Sequence, residues 1–273
     1  MIKASLWGYP MILRADHRLP GIVARQPLWS LPLLHAVHAL EKERVVVIDV
    51  GANTGDTAVL LEAHLPGVCD ILCIEPDDDF FTLCQLNTTA IPRVKVLKAF
   101  VGDSTDSVSI VPGDPGTAGT QLAAGGNANC VPLDCLAKDF AADRGGIDVI
   151  KIDTDGFDFK VIRSSAGLMR QFFPVLFFEF HPLAWEMAGD KPEDVFPYLG
   201  EFGYRHFVFF HNDGTLYAQV SDPSELFVKT LIELHRAQDG GTHIYFDVLT
   251  GPADTCMRAA SLNLSAIRRA SGS

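Results

Sequence analysis

A doubly wound, mostly parallel α/β sheet of seven strands with an antiparallel edge is the fold that this sequence predicts, on three observations. Short continuous apolar runs recur along the chain, as in strands buried on both faces of a parallel sheet. Segments with helical apolar spacing stand between them. The first run ends in a glycine turn that leads into a helix, the pattern of a βαβ unit.

Residues 1–44 read as an irregular N-terminal extension or lid, punctuated by Pro10, Pro20, Pro27 and Pro32. Within it, Ser30 to Glu43 has the spacing of an amphipathic helix. Leu33, Leu34, Val37 and Leu40 share its apolar face, and His35 and His38 read as surface histidines. Residues 45–252 form the main domain. Its parallel strands are Arg44–Val50, Asp70–Glu75, Val94–Val101, Ile147–Asp153 and Pro174–Phe180. Thr54–Leu65, Asp77–Thr88 and Phe157–Gln171 have the length of crossover helices. The third-to-fourth connection is long. It reads as a hairpin starting at Ser107–Pro112, a mobile loop from Gly113 to Gly126, and a helix capped by Asp134. Tyr204–Phe210 and His243–Leu249 supply the antiparallel edge pair, and residues 253–273 read as a frayed helix and disordered tail.

Composition narrows the classes. The 273 residues carry 22 basic against 34 acidic side chains, a net charge of −12, which argues against a nucleic-acid or anionic-membrane partner. No apolar stretch is long enough for a transmembrane segment, and the first ten residues lack a signal-peptide core. The 6 cysteines form no CxxC pair and read as reduced, buried thiols of a cytoplasmic protein.

The most informative segment is Val47-Ile-Asp-Val-Gly-Ala-Asn-Thr-Gly55. Gly51 and Gly55 allow a sharp turn and close approach to a ligand at the carboxyl end of a strand, where open α/β sheets bind ligands. Glu75 ends the next strand, placed to accept hydrogen bonds from ribose hydroxyls. A dinucleotide would call for G-x-G-x-x-G around a pyrophosphate. Here Asp49 precedes the turn and Asp56 opens the helix, and carboxylates oppose phosphate but suit a cation. S-adenosylmethionine, with a sulfonium and an ammonium and no phosphate, is favoured over NAD or NADP.

Taken in order, D-V-G-A-N-T-G-D-T, I-E-P, I-K-I-D-T-D-G and F-F-E-F-H-P resemble the successive motifs of FkbM-type S-adenosylmethionine-dependent methyltransferases, over roughly Val45 to His181. The resemblance implies the class I methyltransferase, Rossmann-like fold and methylation of a hydroxyl on a sugar, glycolipid or secondary metabolite. It implies that Asp49, Gly51, Asn53 and Gly55 line the methionine part of the cofactor, with Thr54 and Thr57 as further contacts. Glu75, followed by Pro76, would hold the ribose, and Asp103 would approach the adenine amino group. Asn87 and Asp134 also match the pattern and read as structural residues. Asp155 departs from it, standing where the family usually has Glu; Phe157 and Phe159 stand where polar residues are common.

For the chemistry, Asp153, Glu179 and His181 fall at successive strand ends on one edge. In one reading His181 or Asp153 takes the hydroxyl proton. In the other, Asp153, Glu179 and His181 hold a divalent ion that acidifies the hydroxyl; the metal-free reading is preferred. Phe177, Phe178 and Phe180 read as core, and Trp185, Met187, Tyr204, Asp16 and His17 as candidates for the acceptor pocket. The rival functions are a nucleotide-dependent oxidoreductase and a non-catalytic S-adenosylmethionine-binding protein.

Overall fold

The computed structural model describes residues 1–103, 107–112, 118–122, 128–237 and 245–270. The chain opens with β1 (Ile2–Leu6), β2 (Tyr9–Leu13), α1 (Leu19–Arg25) and α2 (Leu31–Ala39). The first alternating units are β3 (Val45–Val50), α3 (Asp56–His64), β4 (Cys69–Ile74), α4 (Asp78–Thr88) and β5 (Val94–Leu97). Next come β6 (Phe100–Val101), β7 (Ser107–Pro112), β8 (Ala118–Leu122), β9 (Ala128–Val131), α5 (Leu133–Leu136) and α6 (Lys138–Arg144). The second half holds β10 (Val149–Ile152), α7 (Asp158–Ser164), α8 (Ala166–Phe172), β11 (Val175–Phe180) and α9 (Pro182–Met187). It closes with α10 (Val195–Glu201), β12 (His206–His211), β13 (Leu216–Ser221), α11 (Glu225–Arg236), β14 (Phe246–Thr250) and α12 (Ala253–Ala270).

The main sheet runs β13-β12-β14-β11-β10-β3-β4-β5. From β11 to β5 the strands are parallel; β14, β12 and β13 add antiparallel pairs. The central strands β3, β4, β10 and β11 are buried at every residue, which is why they read as unbroken apolar runs. One face packs Ile48, Ile150, Phe178 and Phe209 against residues of α6, α7, α8, α10 and α11. The other packs Val47, Val149, Phe177 and Leu249 against α2 and α12. All six cysteines are free, and Cys135 alone among them is exposed.

Several local expectations change. The sheet has eight strands: β13, alternately exposed along its length, lies outside the expected edge pair. The strand expected at 94–101 divides. β5 follows β4, but β4 ends at Glu75-Pro76, where proline has no N–H to offer, so Phe100–Val101 pairs with β9 instead. β7 and β8 form the expected hairpin; of the loop expected at 113–126, residues 118–122 are β8, and 113–117 and 123–126 lie outside the described residues. The helix expected at 157–171 breaks into α7 and α8. Ser164 and Ser165 turn their hydroxyls back onto the carbonyls of Val161 and Ile162 at 2.8 and 2.7 Å. Asp134 then caps the new helix, accepting from Gly167 and Leu168 N–H at 2.8 and 2.9 Å. The tail is an 18-residue helix, α12, packed on α2; residues 271–273 lie outside the described residues.

The N-terminal stretch is not irregular. β1 and β2 form a hairpin through Trp7 and Gly8, both at positive φ, the requirement of a two-residue turn of the primed kind. Leu6, Met11 and Leu13 pack with Leu19, Val59 and Ile91. Asn87 of α4 fastens this hairpin to the glycine turn. Its Oδ1 accepts from Ile12 N–H at 2.7 Å, and its Nδ2 donates to Ile12 O and Thr54 O at 3.0 and 2.8 Å. Asn87→Ala removes all three bonds and strands buried backbone groups, so urea unfolding should show a loss of about 2–3 kcal/mol.

Candidate active site

The site is built where the parallel strands end. Gly51, Asn53 and Gly55 all have positive φ, at 78°, 47° and 79°. At Gly51 the requirement is absolute: a Cβ there would lie 1.8 Å from the Asp153 carbonyl oxygen. Asn53 is one of the few non-glycine residues that tolerate this region. Glu75, 5% exposed at the end of β4, accepts from Asn53 N–H at 2.8 Å and Asp77 N–H at 2.9 Å. Burial pushes its carboxyl up to about 7, against the pull of those two N–H groups. The expected ribose acid and the expected turn are therefore one bonded unit.

Beside this unit lies a narrow cleft of about 20 Å³, whose walls include Gly51, Ile74, Pro76, Phe100, Val101 and Phe157. No charged side chain lines it. Thr154 does, and its buried hydroxyl has no hydrogen-bond partner. A wider depression of about 430 Å³ lies at the opposite edge of the sheet, around Tyr204 and an Arg205–Asp222 ion pair.

Under the turn sits a group that the motif reading passed over. Lys151 of β10, in register with Asp49 of β3, is 8% exposed. Its Nζ lies 3.1 Å from Asp49, 3.2 Å from Asp153 and 3.2 Å from the Gly51 carbonyl. Three acceptors match its three N–H bonds. Burial alone would depress the ammonium; Asp153 and Asp49 hold it well above its ordinary value. Asp49 is completely buried, and burial raises its carboxyl to about 6 despite Lys151. Thr54 is also completely buried, and Thr57 nearly so. A lysine inside an apolar strand, as in Ile-Lys-Ile-Asp, was the available signal.

The remaining acids divide. Asp153 is half exposed on the edge, and Asp155 sits at φ 50° in the turn that follows. Asp158 is fully buried and accepts from Thr154 and Gly156 N–H at 3.4 and 3.3 Å. Glu179 lies directly opposite Asp247 on β14; burial first, and then Asp153, Asp158, Asp155 and Asp247, push its carboxyl well up. Asp103 takes a different partner, pairing with Arg163, which also donates to Asp190 at 2.7 Å. His181 accepts from Ala184 N–H at 3.2 Å through Nδ1, capping α9, and lies against the rings of His235 and Tyr245. Among the described residues no three His, Cys, Asp or Glu side chains are arranged to hold a metal ion, so Asp153, Glu179 and His181 do not form such a group. Trp185 is a core residue, packed on Phe159 and Phe180, and Tyr204 is bonded to the Pro174 carbonyl at the far edge. Met187 is 84% exposed.

Residues 49–206 match the methyltransferase FkbM domain, more than half of the chain. The chain belongs to the FkbM methyltransferase family. This membership supports an S-adenosylmethionine-dependent methyltransferase on the class I fold. No curated protein matches the chain. Solved structures of similar fold include a human methyltransferase 10 domain containing protein, at 15% identity and a TM-score of 0.48, covering 90% of this chain and 88% of that one. Another is the precorrin-6y C5,15-methyltransferase of Geobacter metallireducens, at 10% identity and a TM-score of 0.42, with 81% and 86% covered. The plantazolicin methyltransferase BpumL with S-adenosylhomocysteine shares 10% identity at a TM-score of 0.43, with 85% and 88% covered.

Two outcomes follow for this FkbM domain. Lys151→Met leaves the buried Asp49 without its cation, so it must take up a proton to stay inside; chemical denaturation near pH 8 should show a loss of about 2–4 kcal/mol, which adding Asp49→Asn should partly restore. Secondly, Glu75 and Asp49 have folded pKa values near 7 and 6, above their unfolded values, so the folded state binds more protons. The stability they contribute is present at low pH and is lost as pH rises through those values. Urea midpoints should therefore be higher near pH 5.5 than near pH 8.

Proposed function

We propose that this FkbM-family protein transfers the methyl group of S-adenosylmethionine to a hydroxyl oxygen of a neutral small-molecule or glycan acceptor. One arrangement carries the reading: the Gly51–Gly55 turn bonded to Glu75, beside an apolar cleft with no charged side chain in its walls. A pyrophosphate would meet no cation there, since the three N–H bonds of Lys151 already face Asp49, Asp153 and the Gly51 carbonyl. A flat base would insert between the apolar walls as they part, Thr154 offers a hydroxyl, and Glu75 would accept from ribose hydroxyls.

Bound S-adenosylmethionine supplies a methyl group already activated on its sulfonium. The protein's share is alignment, exclusion of water and removal of one proton. Asp153 is the better base of the two candidates: its carboxylate is half exposed at the edge and is oriented by Lys151. His181 spends Nδ1 on the Ala184 N–H, so its neutral ring carries the proton on Nε2 and donates from there. Asp153 takes the hydroxyl proton as the oxygen–methyl bond forms, while His181 and Tyr245 form an aromatic wall beside Glu179 and Asp247.

Calorimetry tests this. S-adenosylhomocysteine should bind and NAD and NADP should not. Glu75→Ala should weaken binding about 10- to 100-fold, the range for hydrogen bonds to a charged group. Binding of NADP without S-adenosylhomocysteine would favour the oxidoreductase instead.

A further inference from the structure

The N-terminal segment, which lies outside the family match, touches the glycine turn through His17. His17 follows the β1–β2 hairpin, and its Nε2 lies 3.1 Å from Asn53 Oδ1. Its other nitrogen, Nδ1, accepts from Leu19 N–H at 3.2 Å. A backbone N–H can only donate, so Nδ1 carries no proton and the neutral ring has its proton on Nε2. Nε2 therefore donates to Asn53 Oδ1, which fixes the orientation of that amide. Asn53 is the non-glycine residue held at positive φ in the turn, and its backbone N–H is the one bonded to Glu75. A continuous chain of hydrogen bonds runs from Leu19 through His17 and Asn53 to the ribose acid.

The hairpin that carries His17 is not a loose arm. Asn87 holds both backbone polar groups of Ile12 and, with the same side chain, the Thr54 carbonyl of the turn. Phe80 of α4 meets the His17 ring edge-on at 6.2 Å between centroids. The charged groups facing this histidine are Asp56 of α3 and Asp16 beside it, with Arg14 paired to Asp16 at 3.1 Å.

We propose that His17 is a positioning residue of the S-adenosylmethionine site: its Nε2–H, donating to Asn53 Oδ1, clamps the turn residue whose backbone N–H is bonded to Glu75. The inference rests on the glycine turn being the S-adenosylmethionine site.

The test is calorimetric titration of S-adenosylhomocysteine into the wild type, His17→Ala and His17→Gln at about pH 8. Gln keeps a side-chain N–H for Asn53. His17→Ala should bind about five-fold more weakly than wild type, and His17→Gln should recover most of the loss. Full affinity in His17→Ala, or no recovery in His17→Gln, overturns the proposal. Nitrogen NMR of the wild-type histidines gives a check that needs no variant: His17 should be protonated on Nε2, and a proton on Nδ1 overturns the clamp. Absence of S-adenosylhomocysteine binding by the wild type at about pH 8 would instead sink the cofactor reading, leaving the tautomer to decide the clamp.

Discussion

One ammonium group holds the strand-end edge together. Lys151 projects from a strand that is otherwise wholly apolar, and its Nζ lies within ion-pair reach of one carboxylate below the turn and one at the edge and donates to one carbonyl within the turn. Desolvating a lysine and an aspartate is expensive, and the two ion pairs and the hydrogen bond together offset it. The consequence is positional. β3 and β10 are locked at the level where their chains diverge, so the Gly51 turn and Asp153 keep a fixed separation, which alignment-driven chemistry requires.

The same ion cluster reshapes the meaning of the charge balance. An excess of acids at the strand ends suggests a uniformly negative surface. The side chains instead fall into groups with different duties. Asp49 is internal and pairs with Lys151, Asp103 with Arg163, and Asp158 caps a turn. Glu75 accepts one backbone N–H on each carboxylate oxygen, from Asn53 on Oε2 and from Asp77 on Oε1. Glu179 and Asp247 face one another across two antiparallel strands, where like charges repel. Burial, ahead of the neighbouring carboxylates, pushes both carboxyls well up, which eases that repulsion.

Legibility in the sequence followed burial. The four central parallel strands announce themselves because both faces are covered, and the glycine turn does so because no other residue fits against Asp153. The family motifs mark the same stretch. What escaped reading depends on contacts distant in sequence. The β1–β2 hairpin is hidden by Pro10, tolerated because the two-stranded sheet is all edge, and its turn uses Trp7, an unusual residue at positive φ. The break at Ser164–Ser165 needs Asp134, thirty-odd residues earlier, to cap the second helix. β13 carries no continuous apolar run because one of its faces is wet. In the site, Lys151 was passed over because lysine in a strand ordinarily reads as solvent-facing, and His17 was read as a candidate for the acceptor pocket because nothing local ties it to Asn53.

The packing of α12 against α2 has a temporal meaning as well as a spatial one. The two helices share the layer over the sheet face that bears Asp49 and Lys151, though one precedes the first parallel strand and the other follows the last strand of the sheet. During synthesis the opposite face can acquire its helices as they emerge, each close in sequence to the strand that it covers. The Lys151 face can gain α2 and α3 early, but the part that α12 covers stays open until that helix has emerged. Closure of the face that bears Asp49 and Lys151 thereby follows synthesis of the last strand of the sheet.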